Sequence, residues 1–319
     1  MENKSYGIIG LGKMGANLAM QAAGKGYTIV GYDKHLPTDI EQENLILAHS
    51  VNSLVDKLPT PRRIFIYIPA GVGIDNLIDD LSPLLDPGDI IIDGGNSYWG
   101  DSIRRAERLK KKGLYFIDCG TSGGVSGARN GACFMIGGET EAVKEIEPLL
   151  KDLAVPEGYI HTGAPGSGHF VKLVHNGIEF GMLQAIGEGM ALLGKYREEL
   201  DVSGILKTWN NGSVVRSWLI ELMKNIYDEK QGFNVPSYVE DTGEVNWLVT
   251  DAMHMDVSVP VIASSVMQLI ASRDSDNLSS KAIAMMRNGF GGHPFGTDDG
   301  IRHERNFGKV GGYQPAKGD

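Results

Sequence analysis

The stretch Gly10-Leu11-Gly12-Lys13-Met14-Gly15 constrains what this chain can fold into more than any other. It follows a short apolar run, Tyr6 to Ile9, and precedes a segment with helical periodicity, Asn17 to Gly24. Strand, glycine turn, helix is the context in which a G-x-G-x-x-G spacing binds a dinucleotide. The first glycine makes the turn, the second lets a pyrophosphate approach the backbone, and the third lets helix pack on strand. The helix N-terminus then faces the negative charge. A fortuitous glycine turn is the competing reading.

The next strand, Thr28 to Tyr32, ends on Asp33, at the distance where a carboxylate accepts hydrogen bonds from the adenosine ribose. Its charge repels a 2'-phosphate, so the pattern favours NAD over NADP, with Lys34 and His35 partly offsetting that repulsion. Further strands are expected at Arg63 to Ile68, Asp89 to Asp93 and Leu114 to Asp118, separated by helix-like segments. This is the alternation of a Rossmann-type, doubly wound α/β domain with a parallel sheet, which Cys133 to Ile136 and Tyr159 to His161 would close.

Ligands in such folds lie beyond the carboxyl ends of the strands. Three loops there draw notice. Pro69-Ala70-Gly71 is one. Asp93-Gly94-Gly95-Asn96-Ser97 ends in an amide and a hydroxyl that suit a carboxylate or hydroxyls, or else an ordinary helix N-cap. Gly120 to Gly127 is rich enough in glycine to expose a nest of N–H groups to an anion, or to be a plain surface turn.

After Gly163 to Gly168, strand signals almost vanish. Val202 to Asn211, Val214 to Asn225, Val245 to Met255, Val259 to Ala271 and Ser279 to Arg287 carry helical periodicity. The expected division is a dinucleotide domain over 1–164, an all-α domain over 165–290 that builds a substrate cleft at the junction, and a polar tail over 291–319. The tail, with Arg302, His303, Glu304 and Arg305 clustered, is either disordered or laid across a second subunit.

The helix expected from Gly168 onward, with Ser167 as its cap, carries Lys172, His175, Asn176 and Glu179 at i, i+3, i+4 and i+7, which places them on one face. Phe170, Val171, Leu173, Val174 and Ile178 clothe its other sides, so it should be buried nearly all round. Such a stripe is either a salt-bridged face or a reactive one.

A net charge of −10 over 319 residues argues against broad nucleic-acid or membrane contact but not against a locally basic pocket. Cys119 and Cys133, the only cysteines, lack metal-ligand spacing and read as small core residues; with no secretory leader, a reduced cytoplasm is the expected compartment. No apolar run is long enough for a membrane span.

Taken together, Gly10 to Gly15, Asp93 to Ser97, Gly120 to Gly127 and above all Gly168 to Gly181 resemble the decarboxylating 6-phosphogluconate dehydrogenases of the β-hydroxyacid dehydrogenase superfamily. Arg287 to His293 resembles that family's C-terminal signature, and the chain is short, like the family's compact bacterial members that often prefer NAD. The resemblance implies a sugar-acid substrate and no metal. Lys172 is then the general base and Glu179 the acid that protonates the enediol product of decarboxylation. Lys172 must be neutral before turnover, its pKa lowered by burial. Asn96, Ser122, Gly123, Gly124, His175 and Asn176 hold the substrate, and Arg287 and His293 reach it from a neighbouring subunit, so the active form is a homo-oligomer. Gly10, Leu11, Gly12, Lys13, Met14, Gly15, Asp33, Lys34, Pro69, Ala70 and Asn96 line the cofactor.

The sequence departs from the family at the substrate's far end. Phe180 stands where the family has a phosphate-binding tyrosine, Leu269 where it has an arginine, and Val245 and Asn246 where glycine and a basic residue are usual. A phosphate monoester is close to a dianion at neutral pH. Fewer donors there suit a monoanion such as a sulfonate, or an uncharged terminus.

Overall fold

The computed structural model describes residues 4–36 and 42–302. They divide into two compact units, one up to Asn176 and one from Gly177 onward. The first contains β1 (Ser5–Ile9), α1 (Lys13–Gly24), β2 (Thr28–Tyr32), β3 (Leu45–Leu47), α2 (Val51–Asp56), β4 (Arg63–Ile66), α3 (Val72–Leu81) and β5 (Ile90–Asp93). It continues through α4 (Trp99–Lys110), β6 (Tyr115–Ser122), α5 (Gly124–Asn130), β7 (Ala132–Gly137), α6 (Thr140–Leu153) and β8 (Ala154–Gly163).

The strands form one eight-stranded sheet in the order β3-β2-β1-β4-β5-β6-β7-β8. The inner strands are continuous apolar runs because both faces of a parallel sheet are covered. In β5, Ile90 and Ile92 join the cluster under α1, α5 and α6, whereas Ile91 joins the cluster under α2, α3 and α4. That alternation is the strand's two-residue period at work. The expected doubly wound α/β unit is therefore present. The parallel run stops at β6, however: β7 is antiparallel to it, with Asp118 opposite Gly137 and Ser122 opposite Cys133, and β8 follows β7 in parallel.

α7 (Ser167–Leu193) leaves the sheet after β8 and continues into the second unit. That unit is helical, with α8 (Val202–Trp209), α9 (Trp218–Glu229), α10 (Glu244–His254), α11 (Pro260–Ser272) and α12 (Leu278–Gly291). Met190, Leu206 and Ile220 make one buried apolar cluster in it. A Cβ at Gly177 would collide with Leu248, so a glycine there lets α7 approach α10 closely.

Three expectations need correction. α7 is not buried all round: Val171, Ile178, Met182 and Leu183 are exposed. Ser167 gives its hydroxyl to Thr162 Oγ1 at 2.7 Å, and a carboxylate from the sheet takes up the helix's first amides instead. Cys133 is exposed, because at the second position of β7 the pleat turns it outward, while Cys119 is wholly buried. Of the tail cluster, His303, Glu304 and Arg305 lie outside the described residues.

Candidate active site

The glycine turn has the shape its spacing predicts. Gly10 sits at φ 96°, and a Cβ there would run into the carbonyl oxygen of Tyr67; at Gly15 it would run into that of Gly10. At Gly12 it would meet nothing within 4 Å. Two glycines are thus required by close packing, and the middle one faces open space where a phosphate can approach backbone N–H groups. The Asp33 carboxylate accepts from Leu11 N–H at 2.6 Å and from His35 N–H at 2.9 Å. It ties the turn to the end of β2 and keeps further lone pairs for ribose hydroxyls. These residues fit a bound dinucleotide.

The neighbouring loops are fixed from behind by Arg105 of α4. Its guanidinium, without solvent exposure, pairs with Asp75 at 2.9 Å and with the buried Asp93 at 3.3 Å, and it donates to Gly71 O at 3.2 Å. The hydrogen bonds of Arg105, then of Arg104, hold the Asp75 carboxyl down at about 2, against an ordinary 3.8. Asp93 in turn accepts from Gly95 N–H at 3.0 Å and Ser97 Oγ–H at 2.8 Å. One arginine therefore braces both the Pro69 to Gly71 loop and the Gly94 to Ser97 loop.

Asn96 adopts a left-handed φ of 52°. Its side-chain Oδ1 accepts from Thr121 N–H at 3.1 Å and its Nδ2 donates to Thr121 O at 3.4 Å, so it joins the β5 loop to the end of β6. Gly123 and Gly124 follow at φ 111° and 60°, turning the backbone at the loop expected to form a nest. Tyr67 and Cys119 lie beneath. Burial pushes the Tyr67 hydroxyl well up and the Cys119 thiol up to about 12, so neither is a nucleophile.

Lys172 is only 6% exposed. Its Nζ donates to Asn176 Oδ1 at 2.7 Å and lies 3.4 Å from His175 Nδ1. His175 Nε2 lies 3.1 Å from Ser122 Oγ. The ring can accept from Lys172 at Nδ1 while donating to Ser122, or donate to Asn176 Oδ1, 3.3 Å away, while accepting from Ser122. Either tautomer joins the lysine to the glycine-rich loop. The structure thus brings together Lys172, His175, Asn176 and Ser122 within the first unit; Glu179 lies two turns on along α7, in the second. In that unit Arg287, His293 and Arg302 line a cavity of about 350 Å³ together with Asp298. Phe180 and Leu269 are half-buried and Asn246 is exposed.

Sequence reasoning missed Arg105, and it missed Asp118, whose buried carboxylate holds the start of α7. Among the described residues no cluster of three His, Cys, Asp or Glu side chains could hold a metal ion. No helix among them is long and apolar enough to cross a membrane.

Two family models match the chain. Residues 5–163 fit the NAD-binding domain of 6-phosphogluconate dehydrogenase, and residues 168–304 fit the C-terminal domain of the same enzyme. The Bacillus subtilis (strain 168) protein YqeC is 40% identical over 90% of this chain and 97% of its own length. The NAD(+)-dependent, decarboxylating 6-phosphogluconate dehydrogenase of Haloferax volcanii is 39% identical, over 92% of this chain and 99% of its own. Among solved structures, the 6-phosphogluconate dehydrogenase of Plasmodium falciparum, described with NADP+ and with 6-phosphogluconate, superposes with a TM-score of 0.77 at 27% identity. That match covers 92% of this chain and 66% of that one.

Proposed function

Because this chain belongs to the 6-phosphogluconate dehydrogenase family, we propose that it oxidatively decarboxylates 6-phosphogluconate with NAD, yielding ribulose 5-phosphate and carbon dioxide. The observation that carries the reading is the buried Lys172 amine, hydrogen-bonded to Asn176 at 2.7 Å and linked through His175 to Ser122. When bound, NAD supplies the hydride acceptor. The Gly10 to Gly15 turn, Asp33, Lys34, Pro69, Ala70 and Asn96 would hold it.

Lys172 takes the proton of the substrate's C3 hydroxyl as hydride leaves C3. It must be neutral to do so. The product is a 3-keto acid. Protonated Lys172 then polarises the ketone while the C1 carboxylate departs as carbon dioxide, and the electron pair left behind forms an enediol. Glu179 delivers a proton to the carbon that lost the carboxylate. Ser122, Gly123, Gly124, Asn96 and Asn176 hold the carboxylate and hydroxyls, with His175 on a hydroxyl. Replacing Glu179 with Gln separates this reaction from simple β-hydroxyacid oxidation, which has no enediol to protonate. The variant should lose overall turnover in the first case and keep it in the second.

A second substrate is favoured by one observation: Phe180, Leu269 and Asn246 supply none of the cationic or hydroxyl donors that the family places near a phosphate. A six-carbon aldonate with a monoanionic terminus, such as 6-deoxy-6-sulfogluconate, fits that loss. Steady-state assays of 6-phosphogluconate, 6-deoxy-6-sulfogluconate and gluconate with NAD rank the candidates, and no NAD reduction with any of the three refutes the whole reading. Arg287 and His293 would serve the cleft of a second copy, so the active form is at least a dimer in the cytoplasm. A fully active monomer on gel filtration would contradict that.

A further inference from the structure

Asp118 lies in mid-β6 with no solvent exposure. One carboxylate oxygen accepts from Gly166 N–H at 2.6 Å and the other from His169 N–H at 2.7 Å. Amides at the start of a helix have no intrahelical partner, and a carboxylate that accepts two of them makes short, charge-assisted bonds. The contact is long in sequence, 48 residues to Gly166 and 51 to His169.

Around it the helix lies directly on strand backbone. A Cβ at Gly168 would come within 2.5 Å of Met135 O and 2.7 Å of Asp118 O. At Gly137 it would be 2.6 Å from the Asp118 carboxylate. At Gly120, two residues along β6, it would be 2.5 Å from Lys172 Cβ. Lys172 therefore occupies the space a side chain on β6 would need. A second tie runs from the His169 ring, whose Nδ1 lies 2.8 Å from Ser102 Oγ of α4 in a buried contact. The glycines set how closely α7 approaches the sheet, and these polar ties, with the edge contact of Phe170 on Trp99 of α4 at 5.8 Å, bear on where it stops along its axis and about it.

We infer that Asp118 is a positioning residue for Lys172, aided by Ser102 through the His169 ring: its carboxylate sets the height and rotation of the lysine-bearing helix. The inference rests on the reading of Lys172 as the base. A slip of one residue moves a helical side chain by about 1.5 Å and 100°. A misplacement of about 1 Å at a reacting group costs on the order of 10²-fold in rate. Among the described residues, the hydrogen bonds to the Asp118 carboxylate come from Gly166 and His169 and not from the Gly10 to Gly15 turn, so cofactor binding should be spared.

The test compares Asp118→Asn with Asp89→Asn. Asp89 is an equally buried carboxylate that accepts backbone amides of Arg62 and Asp86 at the far side of the same unit, and it serves as the control for lost stability. The readouts are kcat, NAD affinity by calorimetry, and the primary isotope effect with substrate deuterated at C3. For Asp118→Asn, kcat should fall about 10- to 100-fold. Its isotope effect should rise as hydride transfer becomes rate-limiting, with NAD affinity within about threefold. Asp89→Asn should keep the wild-type kcat and isotope effect. If Asp118→Asn does not accumulate as folded protein, Ser102→Ala should show the same pattern in weaker form. Wild-type kcat and isotope effect in Asp118→Asn or in Ser102→Ala, or an equal loss in Asp89→Asn, overturns the inference. Absence of turnover by the wild-type protein instead defeats the proposed function.

Discussion

Replacing Arg105 with Met should destabilise the sheet-bearing unit far more than a surface arginine would. The side chain has no solvent exposure, and its removal leaves the equally buried Asp93 without its counter-charge. Breaking one partner out of a buried ion pair costs about 3–5 kcal/mol. Asp93 keeps its bonds from Gly95 at 3.0 Å and Ser97 at 2.8 Å, and Asp75 is partly solvated, so the low end of that range applies. About 3 kcal/mol corresponds to a fall of about 6–12 °C in Tm for a unit of this size. Scanning calorimetry measures the shift, and urea unfolding gives the free energy independently. A second arm isolates the cause. If the cost comes from an uncompensated charge, Asp93→Asn should be less harmful in the Arg105→Met background than in the wild type, with a coupling of about 0.5–3 kcal/mol. A Tm drop under about 2 °C, or a coupling indistinguishable from zero, would refute the reasoning.

The same brace has a pH signature. Asp75 titrates at about 2 in the folded chain against an ordinary 3.8. Because the folded value is the lower one, its stabilisation is complete above the ordinary value and is lost as pH falls from there through about 2. Tm measured between those limits should decline in the wild type and decline less in Arg105→Met; parallel curves would count against the Arg105 to Asp75 bond as the cause. Gly120→Ala places a methyl 2.5 Å from Lys172 Cβ and 3.0 Å from Gly168 O. It should cost about 1–3 kcal/mol of stability by overpacking and lower kcat at least about tenfold, and normal turnover would show that the lysine is seated elsewhere. Asp33→Asn keeps an acceptor for Leu11 N–H but removes the charge proposed to face the ribose. The ratio of kcat/KM for NAD over NADP should drop about tenfold, which is about 1.4 kcal/mol, and an unchanged ratio would place cofactor selection elsewhere.

Local features of this chain were legible in the sequence because their causes are local. The glycine turn, the apolar runs of β4 and β5 and the five later helices each declare themselves within a window of a dozen residues. α9 begins at Trp218 instead of Val214 because Ser217 caps it, accepting from Ile220 N–H at 3.3 Å. What escaped depends on distant partners. Arg104 and Arg105 are adjacent on an amphipathic helix, yet Arg104 is half-exposed while Arg105 falls on the buried face with Ser102, Ala106 and Leu109, where Asp75 and Asp93 supply its counter-charges. Asp118 looked like the polar end of a strand. β6 in fact runs on to Ser122, and a carboxylate left inside a strand was a signal that some backbone from elsewhere must come to it.

The reversal at β7 explains how that backbone arrives. Parallel strands end at the ligand side of the sheet, where the Gly10 turn, Asp33, Pro69 and Asn96 lie. Had β7 and β8 run the same way, α7 would begin at that level and its second turn would project beyond the loops. Antiparallel pairing instead brings the end of β8, at Gly163, beside Gly137 and thus level with Asp118, four residues below Ser122. α7 then climbs along β6, with Gly166 and His169 at Asp118, Lys172 at Gly120 and His175 at Ser122. Each step advances the helix about 4.5 Å by three residues and the strand about 6.6 Å by two. The helix falls behind by about 2 Å per step, and the contacts lengthen to match. Backbone amides meet the strand at Asp118, a Cβ meets it at Gly120, and by Ser122 an imidazole is needed to span the gap. The order of residues on the polar face of α7 therefore follows from the geometry of a helix ascending a strand, with Lys172 placed just beneath the glycine-rich loop.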